Sequence, residues 1–381
     1  MTACKKILNI NDYDLTNRRF NGYDLRPFLL EYGFESRMCV WEKQSSQDFV
    51  SVLGPKRLQR IPHLPFSWLL LLRNCYRQAD IIHYHLIHNG YFSLRSLLLL
   101  MRSKPSVWTI HDFWPLTGGC VYPEECGMWK DNCLDCQSER SSRKEWSLKK
   151  EVYQRLSFEV IVGSAWMEAI VKRSPLMEGK TVHLVPFGIN TAQFYPTSQI
   201  DAKVSLGMDP EKFVISFRSS KNPLKNLDLI KQSLKSLPAE TKEKVQIISF
   251  SERGLIEDLK AEFSVLDCGW VSDANLRSVY NASDLVIMPS RAETFGVVAL
   301  EAMACGKTVV VGEGTALPDL APDAVVPLRI LDLTEMVDTL LWHEDQRRKI
   351  GLNNLARVQS HYTIAIQAKK TAEIYRSLTK G

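Results

Sequence analysis

Apolar residues in this chain come in short runs, separated by longer segments in which they recur every three to four positions. A short apolar run has strand length, and helical periods between such runs imply crossover connections, hence parallel strands with helices on both faces. In the first half the strand-like runs are Lys6–Asn11, Arg37–Trp41, Ala79–His85, Ser106–Ile110, Phe158–Gly163 and Thr181–Pro186. A helix through about Glu31 follows the loop at Asn21-Gly22-Tyr23. The pattern breaks around Phe187-Gly188-Ile189-Asn190 and Phe194-Tyr195-Pro196, and the polar stretch Thr197–Lys203 reads as a linker. Alternation then resumes. Lys212–Phe217, Val245–Phe250, Leu285–Met288 and Thr308–Val311 read as strands. Leu224–Ser236, Asp273–Ala282 and Phe295–Ala304 read as helices, the last stopping before Gly306. Helical segments over about Asp332–Trp342 and Ala365–Leu378 close the chain.

The expected fold class is therefore α/β, with two Rossmann-like doubly wound domains facing a central cleft. The expected boundaries are 1–195 for the first domain and 196–360 for the second, with a helix in 361–381 packing back on the first. In open parallel sheets ligands bind beyond the carboxyl ends of the strands, so functional residues are sought there.

A length of 381 residues suits two domains, and 45% hydrophobic with 24% charged residues supports packed cores. The net charge of +5 is uneven, because residues 1–110 carry 15 Lys/Arg against 8 Asp/Glu. Such a surplus favours an anionic partner such as a membrane surface or a phosphorylated lipid, against the plainer reading of an unevenly charged solvated face. No basic helix or recognised motif points to nucleic acid. The first residues do not read as a secretory signal, so a cytoplasmic location is expected. The longest apolar runs, Phe66–Leu72 and Leu97–Met101, fall far short of the roughly 20 residues of a spanning helix. Pro65–Leu72 with Arg73 and Arg77, and Tyr91–Arg102 with Arg95 and Arg102, mix leucine with arginine. They read either as amphipathic helices touching the inner membrane face or as helices covering the sheet.

The most informative segment runs from Pro289 to Gly306: a strand end, a polar loop with Glu293, then a helix start at Phe295-Gly296-Val297. A helix amino terminus presents unbonded N–H groups and a positive dipole end to an anion. Glu301 stands eight residues after Glu293, a little over two turns into the helix. This pair, with Ala302-Met303-Ala304-Cys305-Gly306 behind it, resembles the donor site of glycosyltransferase family 4, whose two-domain architecture is the GT-B fold. The resemblance implies that Glu293 contacts the donor sugar and Glu301 the ribose hydroxyls. It further implies that backbone donors at Thr294, Phe295, Gly296 and Val297 hold the diphosphate of a UDP- or GDP-type donor.

The resemblance also implies cations at the leaving diphosphate, supplied by the loop after the first strand of the second domain. Arg218 and Lys225 match best, with Lys221 a rival. Asn226 stands where the family pattern has glycine, and the loop is longer than usual. No Asp-x-Asp motif stands in a suitable setting at the end of an apolar strand, so catalysis without metal or other cofactor is expected, and the resemblance then implies retention of anomeric configuration.

In the first half, His111 follows a strand and matches the histidine that approaches the donor sugar in the family. Asp112 and His85 are placed on the acceptor side, and Gly22 in the loop nearest the diphosphate. His83 and His85 share one strand face and also suit a structural role. Gly312-Glu313-Gly314 resembles a shortened dinucleotide fingerprint, and its missing third glycine argues against a nicotinamide cofactor. Cys120, Cys126, Cys133 and Cys136 lie within 17 residues and end in a Cys-x2-Cys pair. They suit structural zinc, an iron–sulfur cluster or free thiols. A similar pattern occurs in family members that build bacterial surface polysaccharides, which points to a glycan or lipid-linked acceptor. A nucleotide-sugar epimerase of the same fold, or a binding protein without activity, are the alternative functions.

Overall fold

A computed structural model describes residues 4–54, 66–88, 90–124, 126–136 and 143–379. The chain divides into two compact units: residues up to Gly188 together with those from Ile364 onward, and residues Ile189–Thr363.

The amino-terminal unit holds a seven-stranded sheet of β1 (Lys5–Tyr13), β2 (Phe34–Glu42), β3 (Val50–Val52), β4 (Ile81–Tyr84), β5 (Ser106–Thr109), β6 (Glu159–Val162) and β7 (Val182–Leu184), in the order β3-β2-β1-β4-β5-β6-β7. Every pairing is parallel. The second unit holds β8 (Phe213–Ser219), β9 (Val245–Ser251), β10 (Ser264–Asp267), β11 (Leu285–Met288), β12 (Thr308–Gly312) and β13 (Val325–Val326), in the order β10-β9-β8-β11-β12-β13 and likewise parallel. Both units are α/β domains of the expected kind. Strand order reverses between β1 and β4 in one and between β8 and β11 in the other, and each reversal opens a crevice at the strands' carboxyl ends.

Burial on both faces makes the inner strands legible as apolar runs. All four residues of β4 and all five of β12 are buried. The strands missed by sequence are β3, β10 and β13. All three lie at sheet edges, are two to four residues long and are only partly buried. The polar stretch read as a linker instead starts a helix, Gln199–Ser205, with Ser198 as its N-cap. Sequence reading also missed the helix Glu344–His361. Its buried residues are Ile350, Gly351, Asn354 and Val358, a stripe with only two apolar side chains. Gly351 packs so close that a Cβ there would lie 2.4 Å from Gly306 O.

The carboxy-terminal helix Ile364–Leu378 belongs to the first unit. Its Ile364, Ala368, Ala372, Ile374 and Tyr375 join Ile7, Leu29, Phe34 and Ile81 in one core. Tyr375 OH lies 2.6 Å from His83 Nδ1 in β4, so this helix supplies a polar partner as well as apolar cover. Of the two leucine–arginine segments, Pro65 lies outside the described residues. Phe66–Leu72 is a 3-10 turn and Leu97–Ser103 an α-helix. Leu70, Leu97, Leu100 and Met101 face the core, while Trp68, Leu72 and Leu99 are exposed. No helix among the described residues is long and apolar enough to cross a membrane.

Candidate functional site

The carboxyl ends of β8 and β11 carry the residues singled out in the second domain. Gly296 stands before the helix Val297–Ala304 with φ +109° and ψ 56°, a left-handed conformation suited to glycine. A Cβ there would also lie 2.4 Å from Leu317 Cδ2. An α-helix makes no bond of its own to its first N–H groups, and here those groups begin at Val297. The preceding loop is pinned from two sides: Arg291 N donates to Leu224 O at 2.9 Å, and Ala316 N donates to Glu293 O at 3.1 Å. Phe295 is buried and meets the Tyr362 ring edge-on, while Thr294 and Val297 are partly exposed. Gly312 lets the end of β12 approach this loop, since a Cβ there would lie 3.2 Å from Pro289 Cα. Gly314 turns the chain away with φ +81°.

The structure brings Lys225 and Glu293 together as a hydrogen-bonded ion pair. Both line a small pocket with Arg218, Ser290, Met288 and Val298. Arg218 is half-buried and its Nε donates to Ser251 Oγ at 3.3 Å. Lys221 is exposed and is not among the pocket's lining residues. Asn226 has φ +59° and ψ 39°, so the departure from glycine is met by the side chain that best tolerates this region. Its Nδ2 also donates to Pro289 O at 3.2 Å, tying the cation loop to the loop of Glu293. Glu301, a solvated helix residue on the plainest reading, is only 1% exposed. Its Oε2 accepts a hydrogen bond of 2.9 Å from Tyr280 OH. Sequence reading missed Tyr280, because nothing in the sequence links a tyrosine on Asp273–Ala282 to this carboxylate.

In the first domain the polar residues gather at the β1/β4 crevice. His85 Nδ1 lies 3.0 Å from His111 Nε2, and His85 Nε2 lies 3.0 Å from Asn9 Oδ1. His85, expected on the acceptor side, is thus buried with both ring nitrogens bonded inside the domain. His111 is partly exposed and sits beside Phe20 and Phe187, with ring centroids 4.8 Å and 5.4 Å away. Asp112 Oδ2 meets His88 Nε2 at 2.7 Å, and Asp112 Oδ1 accepts from Trp114 N at 2.8 Å. The turn at Trp114–Leu116 is held by buried Lys149, whose Nζ donates to Trp114 O at 2.7 Å and Thr117 O at 3.0 Å. Gly22 adopts φ +91°, and a Cβ there would lie 2.6 Å from Asn9 Oδ1. Asn9 itself was passed over. The available signal was two asparagines, Asn9 and Asn11, alternating inside a strand otherwise fit for the core.

Burial disfavours the charged form of these imidazoles. It pulls His83 and His111 down to about 3 and holds His85 well below the usual value of 6.5. All three are therefore neutral near pH 7.

Cys120, Cys126, Cys133 and Cys136 all carry free thiols, and Cys133 lies in the core near Trp129. Among the described residues no three His, Cys, Asp or Glu side chains are gathered as metal ligands. The zinc reading therefore rests on spacing alone.

Comparison with known proteins agrees with this architecture. Residues 28–193 match the family model described as Glycosyltransferase Family 4, and residues 198–354 match the one described as Glycosyl transferases group 1. The chain belongs to the family 4 glycosyltransferases. Over 326 residues the enzyme is 23% identical to the alpha-maltose-1-phosphate synthase of Mycolicibacterium smegmatis, covering 79% of this chain and 80% of that one. It is 32% identical over 155 residues to the D-inositol 3-phosphate glycosyltransferase of Segniliparus rotundus, a match covering 38% of this chain and 34% of that protein. Its fold is similar to that of HepE from Anabaena, solved in complex with UDP-glucose. The TM-score is 0.69 at 17% identity, covering 98% of this chain and 99% of that one.

The neutral histidines give the glycosyltransferase a pH-dependent stability of definite sign. Above pH 6.5 they are uncharged whether the chain is folded or not and contribute nothing. As pH falls below 6.5 the unfolded chain takes up protons that the folded one refuses down to about 3, so stability drops with acidity. For His83 alone the loss between pH 6.5 and 5 is about 2 kcal/mol. Melting temperatures measured across that range should fall, and His83→Gln should flatten the slope. A wild-type profile that is level from pH 7 to 5 contradicts these burial costs.

Proposed function

We propose that this glycosyltransferase transfers a sugar from a nucleoside-diphosphate sugar to a glycan or lipid-linked acceptor, with retention of configuration and no catalytic metal. The observation that carries the reading is the Lys225–Glu293 pair in a pocket with Arg218, beside a helix begun by a left-handed glycine. An anion is favoured at such a helix start, and two cations nearby offset the charge that grows on a departing diphosphate. HepE of Anabaena binds UDP-glucose, which supports a nucleotide-sugar donor here.

In this reading the amides of Thr294–Val297 hold the diphosphate, and Arg218 and Lys225 stabilise it as it leaves. Glu293, oriented by Lys225, meets hydroxyls of the donor sugar. Glu301, buried and braced by Tyr280, accepts from the ribose hydroxyls. A carboxylate held in that setting gains more from a hydroxyl donor than a solvated one does. His111 acts on the donor sugar, and Asp112, held by His88, faces the acceptor. The departing phosphate oxygen takes the acceptor's hydroxyl proton as the new glycosidic bond forms, so no protein base is required.

A screen of UDP, GDP and ADP and their sugars by thermal shift tests the donor class. One base series should raise the melting temperature, and Glu301→Ala should weaken its binding about tenfold or more while the variant stays folded. Transfer should persist in EDTA. Loss of activity on chelation, restored by a divalent cation, contradicts the metal-free reading, and full donor affinity in Glu301→Ala contradicts the site.

The acceptor side of the proposal includes peripheral membrane contact. Exposed Trp68, Leu72 and Leu99 lie on the segments that carry Arg73, Arg77, Arg95 and Arg102. Flotation with vesicles containing anionic lipid should carry the enzyme upward at low salt. Failure to float there removes the membrane from the proposal.

A further inference from the structure

The proton positions along the histidine series of the first domain follow from its fixed end. Asn9 Nδ2 donates to Ser36 Oγ at 2.7 Å and to Arg37 O at 3.2 Å. A backbone carbonyl only accepts, so the amide nitrogen must face it and Oδ1 must face the other way, toward His85 Nε2. Oδ1 only accepts as well, so His85 carries its proton on Nε2. His85 is neutral, because burial opposes its charged form. Its Nδ1 is therefore a lone pair, and that lone pair faces His111 Nε2 at 3.0 Å. His111 Nε2 must then hold a proton, and in a neutral ring the remaining lone pair is at Nδ1.

We propose that Asn9 and His85 are positioning residues that lock His111 as the neutral Nε2–H tautomer, with its lone pair on Nδ1. This rests on the reading of His111 as the group acting on the donor sugar. Three features fix the geometry. Gly22 passes so close over Asn9 Oδ1 that a side chain there would collide with it at 2.6 Å. The rings of His83 and His85 stack at 4.1 Å, and those of His85 and His111 at 5.3 Å with 18° between planes. His83 is anchored in turn by Thr109 Oγ1 and Tyr375 OH, each at 2.6 Å. The opposite His111 tautomer would set its Nε2 lone pair against the His85 lone pair in a buried site, which costs a hydrogen bond and leaves two acceptors unmatched.

Long-range proton–nitrogen NMR spectra of the full chain labelled with 15N-histidine read the tautomer directly. The chain has 8 histidines, assigned by single substitutions. In the wild type His111 should show the protonated signature at Nε2 and the lone-pair signature at Nδ1. His85→Gln offers an amide donor to Asn9 and a carbonyl acceptor to His111, so it should keep that signature. His85→Leu and Asn9→Leu should give mixed His111 tautomers, with UDP release from UDP-glucose slowed roughly tenfold and KM little changed. A wild-type proton on Nδ1, or a folded His85→Leu protein with an unaltered His111 spectrum, overturns the inference whatever the activity. Undiminished UDP release by His111→Ala, with the wild-type spectrum as expected, overturns the catalytic reading and leaves the hydrogen-bonded series standing.

Discussion

In a sheet covered on both faces, a polar side chain near the strands must be matched by another polar group, because water does not reach it. That requirement shapes both halves of this enzyme. In the first domain it ties Asn9 on β1, His85 beyond β4 and His111 beyond β5 into one series. In the second it pairs Glu301 with Tyr280, and Ser216 of β8 with Ser283 at 2.7 Å. The Asn9–His85–His111 series lies where the strand order reverses, the place where a parallel sheet opens a crevice for a ligand. Polar groups that would destabilise a plain core are there satisfied by each other and remain aimed at the crevice end.

Backbone shape completes the second domain's half. Gly296 and Asn226 both take left-handed conformations, one opening the helix at Val297 and the other turning the chain after Lys225. Each turn sets a charged or polar group beside the same pocket. Glycine is required at 296 by the contact with Leu317 as well as by φ, whereas 226 has room for a side chain that then bonds Pro289 O. The Lys225–Glu293 pair is the consequence of these two turns. Neither residue could reach the other without the loops being drawn together.

Much of this was legible in the sequence, for physical reasons. Inner parallel strands appear as apolar runs because both their faces are buried, so the nine inner strands could be read directly, and the edge strand β7 was read as well. The edges β3, β10 and β13 lack that signature, and the helix Glu344–His361 buries a glycine and an asparagine that no hydrophobic period marks. The glutamate spacing located the helix start, yet it could not show that Glu301 is buried or that Tyr280 braces it. The choice between Lys221 and Lys225 needed the fold of the loop, since both are simple cations in sequence. Asn9 shows the clearest gap. Its role depends on partners 27 and 76 positions away, which only the sheet brings together.

The central claim is that a nucleoside diphosphate is held at the start of the helix Val297–Ala304. Hydrogen–deuterium exchange across the chain, with and without saturating UDP, GDP or ADP, tests it most directly. The account predicts slowed exchange at the amides of residues 294–299 with the nucleotide that binds. Protection confined to other segments, with this stretch exchanging as in the free enzyme, would contradict it.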